Sequence, residues 1–338
     1  MANISSSDTA AAAAVNVTVT TTDIRQPHVS STTIVESGHC EVGKSFGMGS
    51  YFNLKHTIKI YYEIHGIGPN KLLFIMGLNN TAESWDHQIN YFGNHPDYQV
   101  CIFDNRGVGY SDAPAGFYST SQMAHDVIDL CEYLGWTKNI HLIGVSMGGM
   151  ISQELVLAKP QYFKSLCLTS TTPGMTLPPL LCVTTLSKLM FIRNPLDKID
   201  IVVKLLFPNE WLRAPAPPGS SHATNEEHIL ETYRQRIAKR GIQPVNGAIG
   251  QMAACIRHYC SPSRLHRIKC YISQILVITG TLDNLINPAN SHYLAKQLNA
   301  DFECWEGSGH ALPNEQAERY NNLLDLHFRK SGLINTDD

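Results

Sequence analysis

The stretch Leu142–Val156, LIGVSMGGMISQELV, changes character in its middle. Its first residues are apolar and favour a buried strand, whereas its last residues repeat apolar side chains at helical spacing. Ser146 lies at the point of change. The pattern Gly-x-Ser-x-Gly between a strand and a helix is typical of a nucleophile elbow, a turn so tight that the residues two positions away must be small. Gly144 and Gly148 fill those positions, so Ser146 is predicted to be a nucleophile.

Strands and helices alternate on both sides of this turn. The apolar runs KLLFIMG (71–77) and YQVCIFD (98–104) predict strands that are buried on both faces. The amphipathic segment TSQMAHDVIDLCEYLGW (120–136) predicts a helix between strands. The same rhythm returns at QILVITG (274–280). Strands joined by long crossovers pair in parallel, so the sequence predicts an α/β protein with a doubly wound, mostly parallel sheet.

Composition divides the chain into a tail, a core and an insertion. Residues 1–45 begin with low-complexity Ser, Thr, Ala and Val, which predicts a mostly disordered tail. Residues 46–172 and 270–332 carry the alternation and form the predicted core. Residues 173–269 interrupt it with helical patterning and many prolines. This segment is therefore predicted to be a helical insertion into a single core.

Composition and charge narrow the classes of function. Charged residues make up 16% of the chain and the net charge is −3, without a run of Lys or Arg, so no nucleic-acid partner is expected. No apolar stretch reaches the length of about 18 residues that a membrane span needs. The nine cysteines form no CxxC pair and no phosphate-binding glycine motif occurs, so no metal or other cofactor is expected. Scattered cysteines and the absence of a basic leader predict a cytoplasmic protein.

Three further motifs accompany the serine turn. They are IMGLNNTAESW at 75–85, DNRGVGYSD at 104–112, and the pair GTLDNLINP…GSGHALP within 280–313. Together with Ser146 they make the chain resemble the α/β-hydrolase superfamily, in its cap-bearing esterase, lipase and peptidase-like branch, over about 51–330. The resemblance implies an eight-stranded type of sheet, with the insertion forming a helical cap after the sixth strand.

The resemblance also implies a catalytic triad, because the family's acid and histidine follow the serine in that order. Asp283 comes just after a predicted strand and matches the acid, although an Asp at such a place can also simply cap a turn. His310 follows the last predicted strand on a loop rich in Gly and Ser, and it matches the base. The expected catalytic residues are therefore Ser146, Asp283 and His310.

Two backbone N–H groups are expected to bind the oxyanion of the reaction. The resemblance implies that they belong to Met147, just after the nucleophile, and to Leu78, in the loop after KLLFIMG. The family usually has His-Gly at the start of that loop, and this chain has Met76-Gly77 instead. In the second motif, Asp104 and Arg106 are expected to make structural bonds beneath the site, and Trp85 is expected to pack.

These expectations lead to one preferred function and several alternatives. A serine at the elbow favours acyl-enzyme chemistry on a small-molecule ester, and aliphatic residues in the insertion favour a lipophilic one. The same triad would also serve a peptidase, a carbon–carbon bond hydrolase or an acyltransferase. A ligand receptor built on a hydrolase scaffold is the alternative from a different class. The sequence leaves the natural substrate and the oligomeric state open.

Overall fold

One mixed sheet organises the chain, which this computed structural model describes at residues 20–21, 32–44, 57–192 and 194–333. Within those residues the sheet has nine strands in the order β1-β2-β3-β5-β4-β6-β7-β8-β9. The strands are β1 (Thr20–Thr21), β2 (Ile34–Val42), β3 (Ile58–His65), β4 (Asn70–Ile75), β5 (Tyr98–Phe103), β6 (Ile140–Val145), β7 (Phe163–Thr169), β8 (Gln274–Gly280) and β9 (Asp301–Trp305). The pairs from β5 through β9 are all parallel, whereas β3 is antiparallel to both of its neighbours. The predicted mostly parallel sheet is therefore confirmed.

Helices cover both faces of this sheet. They are α1 (Asp86–Phe92), α2 (Thr120–Tyr133), α3 (Met147–Ala158), α4 (Leu180–Phe191), α5 (Pro195–Leu206), α6 (Asn209–Arg213), α7 (Asn225–Arg240), α8 (Val245–Arg257), α9 (Pro262–Tyr271), α10 (Ala289–Leu298), α11 (Leu312–Glu315) and α12 (Ala317–Leu333). Apolar residues of α2, α3, α9 and α10 pack on one face, and those of α1 and α12 pack on the other. All six residues of β6 are consequently buried, which explains its continuous apolar run.

The N-terminal boundary of the core lies earlier than the sequence predicts. Strand β2 falls inside the segment 1–45 that was expected to be a tail, so that expectation is wrong for Ile34–Val42. Polar residues interrupt the sequence of this strand, IVESGHCEV, so it contains no apolar run that would predict a strand. It forms because it pairs antiparallel with β3 along nearly its whole length. As a result β3 lies inside the sheet, although its sequence suggests an edge. Residues 1–19, 22–31 and 45 of the expected tail lie outside the described residues.

The predicted insertion lies between β7 and β8, and most of it forms a separate helical layer. Not counting the two-residue β1, it follows the sixth strand, as expected for the cap. Helices α5, α6 and α7 enclose a small apolar core of their own, in which Val203, Phe207 and Leu212 are buried. Helix α9 instead packs against α3 and α10 and belongs to the core layer. The predicted C-terminal limit of the cap, residue 269, is therefore too late by about the length of α9.

Candidate active site

The turn at Ser146 has the strained geometry that its sequence predicts. Ser146 has φ 56° and ψ −122°, a conformation that costs about 1–3 kcal/mol for a residue other than glycine. A methyl group on Gly144 would lie 2.5 Å from the Gly148 carbonyl oxygen, and one on Gly148 would lie 2.1 Å from the Ile75 carbonyl oxygen. Both positions therefore require glycine.

Neighbouring strands hold the strained turn in place. The Ser146 N–H donates to the Thr169 carbonyl at 2.9 Å, which continues the pairing of β6 with β7 past the strand end. The Thr171 hydroxyl donates to the Ser146 carbonyl at 2.7 Å. These bonds fix the backbone on both sides of the side chain, and the residue as a whole is buried, with 8% of its surface exposed.

Asp283 and His310 form a directly bonded pair beyond the ends of β8 and β9. His310 Nδ1 lies 2.8 Å from Asp283 Oδ2 and 3.0 Å from Oδ1. Asp283 Oδ1 also accepts the N–H groups of Leu285 and Ile286, at 2.9 and 2.8 Å, so the carboxylate is buried but well supplied with donors. Because the carboxylate is an acceptor, the bond assigns the imidazole proton to Nδ1.

The loop that carries His310 is clamped between the core and the cap. The His310 N–H donates to the carbonyl of Leu206, the last residue of α5, at 2.9 Å. The Gly309 N–H donates to Glu315 Oε2 at 2.8 Å. Burial raises the pKa of the Glu315 carboxyl, and the nearby negative charge of Asp283 adds to this, whereas the Gly309 bond opposes it. A methyl group on Gly280 would lie 2.2 Å from the Ser308 carbonyl oxygen, so the loop lies directly on the end of β8.

All three predicted triad residues lie just past the carboxyl ends of parallel strands, at one edge of the sheet. Strands β6 and β8, which precede Ser146 and Asp283, are both neighbours of β7. Among the described residues the acid and the histidine are hydrogen-bonded, whereas no hydrogen bond joins the Ser146 hydroxyl to the His310 ring. Of the three residues predicted to form a triad, Asp283 and His310 are therefore hydrogen-bonded to each other. Ser146 lies at the same edge of the sheet without a hydrogen bond to either of them.

The predicted oxyanion residues flank Ser146. A methyl group on Gly77 would lie 3.1 Å from Ser146 Cβ and 3.6 Å from its Oγ, so the backbone before Leu78 passes beside the serine side chain. Met147 is the first residue of α3, and its N–H has no partner within the helix. Met76, which stands where the family usually has histidine, is buried in the same apolar cluster as Trp85. The Met76 side chain is therefore packed among apolar side chains.

Asp104 and Arg106 make the structural bonds expected of them. Asp104 accepts the Ala82 N–H with Oδ1 at 2.9 Å and the Tyr110 N–H with Oδ2 at 2.8 Å, so it joins the two loops beside the site. Arg106 forms a bidentate pair with buried Asp126, with both N···O distances at 2.5 Å. Trp85 is fully buried and packs on Phe74, as expected.

The described part of the chain contains no group of three or more His, Cys, Asp or Glu side chains that could hold a metal ion. In the same residues, no helix combines the length and apolar character needed to cross a bilayer.

Comparison with known proteins identifies the family. Residues 70–315 match the family described as alpha/beta hydrolase fold. Since this match spans most of the chain, the protein belongs to that family, in agreement with the resemblance seen in its motifs.

Individual relatives are more distant and differ in their reactions. The chain is 26% identical over 275 residues to a Stutzerimonas stutzeri protein named "Putative carbamate hydrolase RutD", covering 80% of this chain and 96% of that one. A thermophilic esterase from Thermogutta terrifontis has a TM-score of 0.69 at 21% identity, covering 87% of this chain and 99% of its own. A meta-cleavage product hydrolase from Pseudomonas fluorescens has a TM-score of 0.67 at 16% identity, covering 87% and 98%. The two structures show a shared fold, and the family together with the first relative supports a hydrolase.

Proposed function

We propose that the protein is a serine hydrolase that cleaves a small or lipophilic carboxylic ester through an acyl-enzyme on Ser146. The observation that carries the proposal is the bond of 2.8 Å between His310 Nδ1 and buried Asp283, at the sheet edge where Ser146 occupies a strained elbow. If the Asp–His pair had a structural role alone, it would not require a serine in a strained turn between two obligatory glycines. The combination is what nucleophilic catalysis requires.

The mechanism follows from which nitrogen of His310 is protonated. With the proton on Nδ1, the other nitrogen, Nε2, is free to take the proton of Ser146 as the hydroxyl attacks the ester carbonyl. Asp283 then stabilises the imidazolium. His310 returns the proton to the leaving alcohol, and it next activates the water that releases the acid. In proteins without substrate such hydrogen bonds are often long, so the serine and the histidine are expected to close on each other when substrate binds.

The oxyanion of the tetrahedral intermediate would be held by the N–H groups of Leu78 and Met147. The N–H of Met147 lies at the N-terminus of α3, where the helix dipole favours negative charge. Each donor aimed at the developing charge is worth about 3 kcal/mol of transition-state stabilisation.

Replacing the proposed nucleophile provides the first test. Ser146→Ala is expected to lower kcat for p-nitrophenyl butyrate by a factor on the order of 10⁶, if a precedent from an unrelated serine hydrolase applies. Labelling of the native protein, but not of this variant, by a fluorophosphonate probe would locate the nucleophile independently. Ser263→Ala, at an exposed site in α9, is the matched control and is expected to behave like the native protein. Equal turnover by native protein and the Ser146 variant would overturn the proposal.

A second candidate is hydrolysis of a carbamate. It is favoured by the relative with that name, which aligns with most of this chain. Carbamates and esters both acylate serine, so the triad serves either reaction, and it would also serve an amide or a carbon–carbon bond. A substrate panel of a p-nitrophenyl ester, an aminoacyl amide, a carbamate and a dienone, compared by kcat/KM, separates these reactions. Absence of fluorophosphonate labelling in the folded native protein would instead favour a ligand receptor.

A further inference from the structure

Helix α8 of the cap reaches the loops that follow β4 and β5, and one glutamine connects the two. Gln251 is fully buried. Its Oε1 accepts the Asn79 N–H at 2.8 Å, and its Nε2 donates to the Arg106 carbonyl at 2.8 Å. The amide has one possible orientation, because the N–H needs an acceptor and the carbonyl needs a donor. Gln251 is thus a hydrogen-bonded bridge between two backbone segments.

The segment on one side of this bridge carries the proposed oxyanion donor Leu78. Its first residue is fixed by the Asn105 side chain, whose Nδ2 donates to the Met76 carbonyl at 3.0 Å. Its far end is Asn79, which has φ 57° and whose N–H is held by Gln251. The peptide groups around Leu78 are therefore held from both ends, once by the core and once by the cap.

Close backbone contact fixes the position from which Gln251 acts. A methyl group on Gly247 would lie 1.9 Å from the Gly107 carbonyl oxygen, and one on Gly250 would lie 2.5 Å from the ring of Tyr118. The Tyr118 N–H also donates to the Gly250 carbonyl at 3.3 Å. Helix α8 therefore lies in close contact with this loop and with Tyr118, and this contact places the amide of Gln251 beside the two segments that it bonds.

We propose that Gln251 is a positioning residue that orients the Leu78 N–H toward the oxyanion, so that seating of the cap completes the catalytic site. This inference rests on the proposed serine hydrolase function. Loss of the bridge would leave the carbonyl of buried Arg106 without this donor and would remove the acceptor of the Asn79 N–H, so the loop would be free to turn its peptide groups away. The effect is expected on the transition state, where charge develops on the oxygen, more than on ground-state binding.

Two variants of Gln251 test the orientation, and Gln243 supplies a matched control. Gln251→Met keeps the shape and removes both hydrogen bonds. Gln251→Glu keeps both bonds only while its carboxyl is protonated. Gln243 also joins the cap to the second loop, through a bond from its Nε2 to the Gly107 carbonyl at 3.0 Å, and this bond does not involve the segment with Leu78.

The measurements are kcat and KM for p-nitrophenyl butyrate and the Ki of a trifluoromethyl ketone that forms a tetrahedral adduct. Gln251→Met is expected to lower kcat by about 10- to 100-fold, less than loss of a whole oxyanion donor, with KM changed by less than about threefold. The Ki of the ketone should rise by the same factor as kcat/KM falls. The ratio of kcat for Gln251→Glu to native kcat should rise as the pH is lowered. Gln243→Met should leave all of these values near native.

Three results would overturn the inference. One is a Gln251→Met variant whose kcat is no lower than that of Gln243→Met. Another is a fall in kcat/KM carried by KM alone, and the third is an unchanged Ki for the ketone. If Gln251→Met does not fold, the pH dependence of Gln251→Glu decides the matter. Native protein that neither turns over the ester nor reacts with a fluorophosphonate would refute the hydrolase itself, and the inference would then fall with it.

Discussion

The backbone at Ser146, the proposed nucleophile, is held in a strained conformation. Its φ of 56° is held by bonds to β7 and by glycines two residues away on either side. Strain of this kind persists only where surrounding contacts determine the conformation. The sequence motif predicts this turn well, because neighbouring backbone atoms lie too close to Gly144 and to Gly148 for either residue to carry a side chain.

Asp283 is expected to act by keeping His310 in one tautomer. In Asp283→Asn the amide can donate to Nδ1 and so favour the proton on Nε2, where it blocks the base. The expected result is a fall in kcat of about 10⁴-fold with little change in the melting temperature. Steady-state kinetics on p-nitrophenyl butyrate check it, with the surface variant Asp301→Asn as the control. A variant within threefold of native would show that Asp283 caps its turn and does no more.

Among the elements, the cap contacts two loops of the proposed active site. The end of α5 binds the loop of His310, and α8 binds the loop of Leu78. These contacts lie on opposite sides of the proposed nucleophile. Movement of the cap is therefore expected to disturb the proposed base and the proposed oxyanion donor Leu78 together.

The contact between α5 and the His310 loop leads to a prediction about Gly309. A methyl group there would lie 2.6 Å from the Leu206 carbonyl oxygen and 2.8 Å from Pro208 Cδ. Gly309→Ala is therefore expected to push the loop away from the cap and to lower kcat by about tenfold or more, since small displacements of a catalytic group are costly. Stopped-flow or steady-state turnover of the ester measures this.

Gly332→Ala provides the control for this substitution. Its methyl group would meet only the flexible end of Lys164, at 3.9 Å, and alanine suits the helix in which it lies. Native turnover in both glycine variants would mean that the loop of His310 tolerates displacement from the cap.

The elements that the sequence predicts are those with strong local patterns. The central parallel strands are apolar throughout because they are covered on both faces, and the motif residues follow their ends. Strand β2 is not predicted because it has no continuous apolar run, and the hydrogen bonds that hold it as a strand come from its pairing with β3. Gln251 is missed for a related reason, since a glutamine in a cap helix has no local signature. The nearby Gly247 and Gly250 are the one hint that α8 approaches another backbone closely.

For the whole molecule, three buried histidines make stability depend on acidity. Burial lowers the pKa of His141 and of His258 to about 3, and that of His327 to about 4. The unfolded chain, with histidine pKa values near 6.5, therefore binds more protons than the folded protein between these limits. Stability is full above about pH 6.5 and is lost as the pH falls below it, at about 1.4 kcal/mol per pH unit for each histidine.

Urea unfolding at pH 7, 6 and 5 measures this slope. His258→Gln is expected to lower the slope of the unfolding free energy against pH by the amount that corresponds to about one proton, because glutamine does not titrate. His266→Gln, at an exposed position in α9, is the control and should leave the slope unchanged. A slope that is the same in native protein and in both variants would show that His258 binds protons equally in the folded and the unfolded chain, which contradicts the prediction.

Strand β2 also decides where the chain can be shortened. It covers the outer side of β3, whose register with it runs from Val42 opposite Ile58 to Ile34 opposite His65. Composition alone places the domain boundary at residue 45. Truncating the chain there would remove β2 and leave β3 as an edge strand. The backbone N–H and carbonyl groups on the outer side of β3 would then be unpaired. A strand from a second molecule could pair with them, and fibrous or amorphous aggregates would be the expected product.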